Sequence, residues 1–228
     1  TNINTSIDSV LLPTMSNEQD NKTKVRDMTR RAIKTSIFIM APLMMGLAFT
    51  SKNIVTLLLT EKWLGCVPYL CIFCVTFMFY PIHTANLNAI KAMGRSDLFL
   101  KLEIIKKVVG VTLLLATMYI SPLAMAYSLL VSGLLSQIIN SWPNKKLLNY
   151  SYIDQMKDIM PSIALAIFMG IIVYLIGLIK LPIIISLIIQ IIVGGVIYIA
   201  GAKILKIDSL YYLLELLKSI LKKNQKNN

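Results

Sequence analysis

The chain has 228 residues, of which 56% are hydrophobic and 15% charged, and its mean hydropathy is +0.70. A soluble domain is about 45–50% apolar and about 25% charged, so this composition excludes an ordinary water-soluble domain and indicates lipid as the solvent. The net charge of +12 would suit nucleic acid, but the basic residues lie between long apolar runs. Membrane topology explains such a distribution, and we expect no nucleic-acid partner.

Six apolar runs are long enough to cross a bilayer, which takes about 20 mostly apolar residues per helix. They are apolar on all faces and lack the alternation of a barrel strand, so each is predicted to be a helix. In chain order they cover about 33–50, 64–90, 104–120, 123–139, 159–179 and 181–202. The predicted fold is all-α, a polytopic transmembrane bundle of about six spanning helices in residues 1–202. A cytoplasmic amphipathic tail follows in residues 203–228.

Basic residues predict the orientation of these spans. Of the 23 lysines and arginines, 20 lie in 14–34, 91–107, 140–158 and 203–228. The alternate connections hold Lys52, Lys62 and Lys180. Since cytoplasmic loops carry the excess of Lys and Arg, both ends of the span set are predicted to be cytoplasmic.

Two shorter segments are predicted at the membrane surface. Asn53–Leu59 is too short to span and is expected on the outer side. The segment from Asp208 to Lys223 is typical of an amphipathic helix that Asp208 caps. Its apolar face would carry Leu210, Leu213, Leu214, Leu217 and Leu221. This face packs either on anionic lipid or on the protein's own cytoplasmic surface.

The start of the chain predicts a piece of a longer protein. Thr1 rather than Met comes first, and Ile7, Val10, Leu11 and Leu12 read as the end of an apolar segment. We therefore expect earlier helices before it.

No catalytic or metal-binding pattern is evident. His83 is the one histidine, no acidic residue lies inside a predicted span, and Cys66, Cys71 and Cys74 share one apolar run. Structural zinc sites and disulfide frameworks need other spacings. We expect neither an enzyme nor a cofactor.

Polar residues in the second predicted span are candidates for a function. His83, Asn86 and Asn88 lie close together in an apolar run. Intramembrane polar groups face a cavity or another helix. These three residues are therefore predicted either to line a binding cavity for sugar hydroxyls or to form hydrogen bonds between helices. Pro42, Pro68 and Pro81 predict kinks, either static or able to bend during transport.

Three motifs resemble one protein family. Leu11–Asn21 (LLPTMSNEQDN) resembles a loop of polysaccharide flippases, and Ala41–Trp63 (APLMMGLAFTSKNIVTLLLTEKW) resembles their proline-containing helix and outer turn. Tyr80–Lys107 (YPIHTANLNAIKAMGRSDLFLKLEIIKK) resembles the helix and Gly-Arg-Ser-Asp turn that follow. The chain is thus similar to WzxC-like oligosaccharide flippases, in the superfamily of multidrug, oligosaccharidyl-lipid and polysaccharide exporters. The resemblance covers about residues 10–160 well. Thr60 departs from it, since the family commonly has glycine there.

The resemblance implies a fold and an activity. The fold would be part of the second lobe of a two-lobed transporter, with an N-terminal lobe missing. The parent protein would move an undecaprenyl-diphosphate-linked oligosaccharide across the bacterial inner membrane for lipopolysaccharide, capsule or exopolysaccharide synthesis. Its partners would be that lipid, membrane lipids and polysaccharide assembly proteins. Two alternatives stay open: a multidrug or small-molecule exporter of the superfamily, and a membrane-bound glycan polymerase or acyltransferase.

Cationic residues near the predicted span ends have two interpretations. They set the topology, or they form an electropositive entrance for a diphosphate headgroup, which needs cationic partners to leave water. The candidates for such a headgroup are Arg31, Lys34, Arg95, Lys106 and Lys107.

Overall fold

The computed structural model describes residues 11–179 and 181–226, and the regular structure of that part is helical. After a helical stretch at 11–16, the elements are α1 (Lys22–Leu59), a 3-10 turn (Glu61–Cys66), α2 (Val67–Met78), α3 (Tyr80–Ala92), α4 (Ser96–Thr117), α5 (Pro122–Leu147), α6 (Tyr152–Gly177), α7 (Ile183–Ile204) and α8 (Asp208–Lys226). Ile7, Val10 and Lys180, and the side chains of Leu217 and Leu221, lie outside the described part.

Within residues 11–179 and 181–226, five segments are long and apolar enough to cross a membrane: Lys22–Leu59, Glu61–Ala92, Pro122–Leu147, Tyr152–Gly177 and Ile183–Ile204. The predicted span at about 104–120 is not among them. Helix α4 begins earlier, at Ser96, and its first twelve residues include Lys101, Glu103, Lys106 and Lys107. The helix still has 22 residues, which is about 33 Å of length, and it packs along α5.

The length of helix α1 shows that the separate outer segment predicted at Asn53–Leu59 is wrong. The helix runs unbroken for 38 residues, so Asn53–Leu59 is its last part and not a separate surface helix. Lys52 ends the apolar run without ending the helix, because lysine is a good helix former. At the other end, the Asn21 side chain caps the helix by accepting a hydrogen bond from the Lys24 backbone N–H at 3.0 Å.

Thr60 ends α1 in a strained conformation. Its φ is 74° and its ψ is 168°, a region that is essentially restricted to glycine. A β-branched residue is especially unsuited to a positive φ. Threonine therefore replaces the family's usual glycine at a position whose backbone conformation favours glycine.

We expect Thr60→Gly to stabilise the protein by about 1 kcal/mol. Relief of the strain is worth roughly 1–3 kcal/mol, and the greater freedom of glycine in the unfolded chain offsets part of it. The measurement is the midpoint of thermal unfolding of the purified protein. Lys206→Gly is the matched control, since Lys206 has a φ of 51° and lies nearer the ordinary left-handed region. An equal or larger gain in the control would contradict the strain at Thr60.

The predicted span at 64–90 corresponds to the segment Glu61–Ala92, which consists of two helices after the 3-10 turn. Helix α2 ends at Met78 and α3 starts at Tyr80, with Phe79 between them. Pro68 and Pro81 lie in the first turns of these helices, where the missing N–H removes no intrahelical bond. Pro42 lies inside α1. The predicted spans at 123–139, 159–179 and 181–202 correspond to α5, α6 and α7.

The core forms where α1 packs against α6, α2 and α7. Tyr198 of α7 donates its hydroxyl to the Phe38 carbonyl of α1 at 2.9 Å, and the two rings lie 5.1 Å apart. Arg30 of α1 makes two hydrogen bonds of 2.6 Å to the carboxylate of Asp158 in α6. Tyr150 donates to the same carboxylate at 2.9 Å, which fixes the basic ends of both helices together.

Helix α8 begins by packing on the bundle itself. Leu210 and Leu213 contact the buried core. Asp208 lies in the first turn, where its carboxylate accepts a hydrogen bond from the Lys34 ammonium at 2.8 Å. The start of the tail thus covers the protein's own surface at the end of the bundle where the basic loops lie, hereafter the basic end.

Candidate functional site

A groove of about 520 Å³ lies between α2, α3, α4 and α5. Charged and titratable side chains line it together with hydroxyl and amide groups, although the surrounding helices are largely apolar. Its ionisable and polar lining consists of Thr76, Tyr80, His83, Thr84, Asn88, Lys91, Glu103, Lys106, Lys107, Ser132 and Ser136. The sequence predicted His83, Asn88, Lys106 and Lys107 for a binding site, and the groove brings these four together.

Lys106 and Glu103 form an ion pair in this groove. The Lys106 Nζ donates to Glu103 Oε1 at 2.5 Å, and the two side chains are 14% and 32% exposed. Lys106 is the eleventh of the 22 residues of α4, so it lies about 15 Å from either end of the helix. Ionisable side chains that are this little exposed are costly unless they are paired, so the pair is a candidate for a functional site.

His83 is held by the neighbouring helix. Its Nδ1 lies 3.1 Å from Asn140 Nδ2 of α5, and its ring lies 5.9 Å from that of Tyr80. Since α3 and α5 both supply groups here, this contact orients the imidazole against the groove wall. Asn88, one helical turn and a half further along α3, is almost fully buried but also lines the groove.

Hydroxyl groups on α5 form one wall of the groove, and they were not predicted from the sequence. Ser132 and Ser136 line the groove. They belong to a row with a polar residue at every fourth position: Ser128, Ser132, Ser136, Asn140 and Asn144. Residues four apart lie on one helix face, so this spacing was the signal that could have found the wall. Gly110 of α4 lies opposite, where an added Cβ would approach Ser132 Oγ to 3.3 Å.

Lys91 and Glu103 are further groove residues outside the predicted site. Lys91 lies at the end of α3, with its ammonium 4.6 Å from the centre of the Phe99 ring. Glu103 precedes the predicted span at 104–120 by one residue, and the expectation of acid-free spans therefore missed it. The actual start of α4 at Ser96 places Glu103 well inside the helix.

Asn86 lies in a buried network instead of on the groove lining. It is fully buried, and its amide pairs reciprocally with Gln155 of α6 at 2.8 and 3.0 Å. Asn144 of α5 donates to Asn86 Oδ1 at 2.7 Å, and Asn86 Nδ2 contacts Ser141 at 3.3 Å. These contacts join three helices, as expected for polar groups that hold helices together in a membrane.

Arg31 and Lys34 lie at the basic end, in a second cavity of about 520 Å³ beside α8. The Arg31 guanidinium lies over the Tyr212 ring, 5.0 Å from its centre. Lys34 is paired with Asp208. Contacts between α1 and the tail thus border this second cavity, which is separate from the groove.

Arg95 lies in the turn between α3 and α4. Its guanidinium forms two hydrogen bonds of 2.9 Å to Asp97, which lower the pKa of that carboxyl to about 2. Both side chains are about half exposed, and neither lines the groove.

Docking of the tail should depend on pH. The hydrogen bond from Lys34, followed by its charge, holds the pKa of Asp208 below the usual value. A carboxyl whose pKa is depressed in the folded state stabilises that state above its unfolded pKa of about 3.9, and the contribution is lost as pH falls through the folded value. We expect α8 to stay docked from pH 7 to about pH 4 and to loosen below that.

Electron paramagnetic resonance distances between spin labels at residues 24 and 215 measure this change. Asp208→Asn should give a looser tail at pH 7 and a smaller acid-dependent change than the unsubstituted protein. An unchanged acid response in that variant would contradict the role of Asp208.

Among residues 11–179 and 181–226, no three His, Cys, Asp or Glu side chains are grouped to hold a metal ion. The groove instead offers ammonium groups, hydroxyls and an imidazole. This set suits an anion that also carries hydroxyl groups.

Comparisons with known proteins agree with this architecture. Residues 1–68 match a family described as polysaccharide biosynthesis protein. The lipopolysaccharide biosynthesis protein WzxC of Escherichia coli (strain K12) is 27% identical over 139 residues, which is 61% of this chain and 28% of WzxC. The structure of lipid II flippase MurJ in an inward closed conformation matches with a TM-score of 0.73 and 20% identity. That match covers 89% of this chain and 43% of MurJ.

These findings show that the chain is similar to a polysaccharide biosynthesis family and to WzxC, and that it shares the fold of MurJ. Together with the five apolar helices, they indicate a multi-pass membrane protein. The chain spans about 28% of the length of WzxC and 43% of the MurJ chain.

Proposed function

We propose that the chain is the second lobe of a transporter that moves an undecaprenyl-diphosphate-linked oligosaccharide across the bacterial inner membrane. No bond is made or broken in this process. The observation that carries the proposal is the Lys106–Glu103 ion pair, halfway along α4, in a groove that also contains Lys91 and Lys107. A diphosphate has to leave water to cross a bilayer, and clustered ammonium groups compensate for that desolvation.

The lining supplies a place for both parts of the headgroup. The diphosphate binds near Lys91, Lys106 and Lys107, and sugar hydroxyls bond to His83, Asn88 and the serines of α5. The lipid tail stays in the bilayer. Arg31 and Lys34 act at the basic end as a first attraction for the anion, since cations that line a cavity there raise its local concentration. Asn86 and Arg95 have no assigned contact with the substrate in this proposal.

The relatives support the substrate class by their names, lipopolysaccharide biosynthesis protein and lipid II flippase. A first lobe, earlier in the parent protein, would close the open side of the groove, and alternating access would expose the groove to each side in turn. Membrane lipids and polysaccharide assembly proteins are its proposed partners. The product would feed surface polysaccharide synthesis.

A transport assay with the full-length protein tests the proposal. Proteoliposomes are loaded with a fluorescent undecaprenyl-diphosphate oligosaccharide, and the fraction that becomes accessible to a membrane-impermeant quencher is followed with time. We expect faster transfer than in protein-free liposomes, and no efflux of the cationic dye ethidium. Dye efflux without lipid transfer would favour the multidrug exporter instead.

A further inference from the structure

Lys106 presents a specific problem when the groove is empty. The Lys106 side chain is only 14% exposed, and an ammonium group so little exposed carries a desolvation cost unless an anion lies beside it. A transported substrate supplies that anion for only part of each cycle. The described groove contains one carboxylate, Glu103, and it contacts Lys106 directly.

The pair is arranged so that it can open without moving a helix. Both residues lie on α4, three positions apart, and therefore on neighbouring points of one helix face. Glu103 is also more exposed than Lys106, at 32% against 14%. Rotation of the Glu103 side chain alone would release Lys106 to another anion.

We propose that Glu103 is an exchangeable counterion: it neutralises Lys106 in the empty groove and competes with the diphosphate for Lys106 during transport. This inference rests on the proposed function. The competition weakens binding of the substrate, and it also lets the substrate leave, because Glu103 returns to Lys106 on release. Lys91 and Lys107 stay available to the diphosphate throughout the exchange.

The charges of the other groups that line the groove are consistent with this role of Glu103. On α3 the groove presents His83, Tyr80 and Lys91, and on α4 it presents Lys107. From α5 it receives Ser132 and Ser136, and from α2 Thr76, none of which carries a charge. Glu103 is thus the sole negative group against three ammonium groups in the described lining, so its removal should raise the affinity for anions.

Binding to the full-length protein in nanodiscs tests the exchange. The probe is undecaprenyl diphosphate, and undecaprenol is the uncharged reference. We expect Glu103→Gln to bind undecaprenyl diphosphate about tenfold tighter than the unsubstituted protein and to bind undecaprenol equally. The same variant should transport more slowly, because release is slower. A gain in affinity cannot come from a misfolded protein, and this separates the proposed role from a merely structural one.

Two further variants complete the test. Glu61→Gln, at an exposed carboxylate in the 3-10 turn, should leave both affinities unchanged. Glu103→Asp keeps the charge and should bind no tighter than the unsubstituted protein. Unchanged or weaker binding of undecaprenyl diphosphate by Glu103→Gln would overturn the exchange. If the unsubstituted protein does not prefer undecaprenyl diphosphate to undecaprenol, and Lys106→Gln changes nothing, the proposed function itself fails.

Discussion

Lys106→Gln in the full-length protein is expected to reduce export of surface polysaccharide about tenfold or more. Glutamine keeps most of the side-chain length but removes the charge that the proposed diphosphate binding in the groove requires. Loss of one charge-assisted contact in a desolvated site corresponds to at least a factor of ten in binding. The measurement is the amount of surface polysaccharide in a strain that lacks the chromosomal gene and expresses the variant.

Arg95→Gln is the matched control for this substitution. Arg95 carries the same charge but lies in an exposed turn, paired with Asp97 and away from the groove lining. We expect export close to that of the unsubstituted protein, at equal expression. The sequence alone also proposed Arg95 for the headgroup, and equal loss in both variants would favour that broader interpretation over the groove.

Gly170→Ala is expected to destabilise the protein by about 1–3 kcal/mol. Gly170 of α6 faces α1, and an added Cβ would overlap the ring of Phe49 and approach its Cγ to 3.1 Å. Because Cγ is the root of the ring, rotation of the ring about its own axis cannot clear the clash, so the packing of α1 on α6 has to shift. Overpacking of this kind typically costs 1–3 kcal/mol.

Gly195→Ala separates this clash from the general effect of the substitution. Gly195 also lies in a spanning helix, but an added Cβ there meets no atom within 4 Å. Alanine favours helix over glycine by up to about 1 kcal/mol, so this variant should unfold at the same or a higher temperature. The check is thermal unfolding in detergent. A Gly170→Ala protein as stable as Gly195→Ala would contradict the close contact between α1 and α6.

The helical, membrane-spanning character of the chain could be predicted because hydropathy reports it directly. The positions where helices begin and end could not. Hydropathy marks where lipid contact ends, whereas α1 continues through Lys52 to the strained Thr60. The same limit explains α4, because residues 96–103 were interpreted as a loop although they are helical.

The candidate site could be predicted only in part, for a related reason. His83 stands out in the sequence as a polar residue within an apolar run, and Lys106 as a basic residue near the end of one. Their proximity depends on how α3, α4 and α5 pack, which sequence spacing does not encode. Asn86 shows the same limit, since its neighbour in sequence Asn88 lines the groove while Asn86 faces Gln155. The row of serines on α5 carried a usable signal, because its four-residue spacing marks one helix face.

Photocrosslinking from the groove wall tests most directly whether the lipid-linked sugar occupies this groove. A photoreactive residue is introduced at Ser132, which lines the groove, or at the adjacent Val131, which is exposed outside it. The full-length protein is then irradiated in membranes that contain radiolabelled undecaprenyl-diphosphate oligosaccharide. Labelling from position 132 and little from position 131 is the predicted result. Equal labelling from both positions, or labelling from position 131 alone, would contradict it.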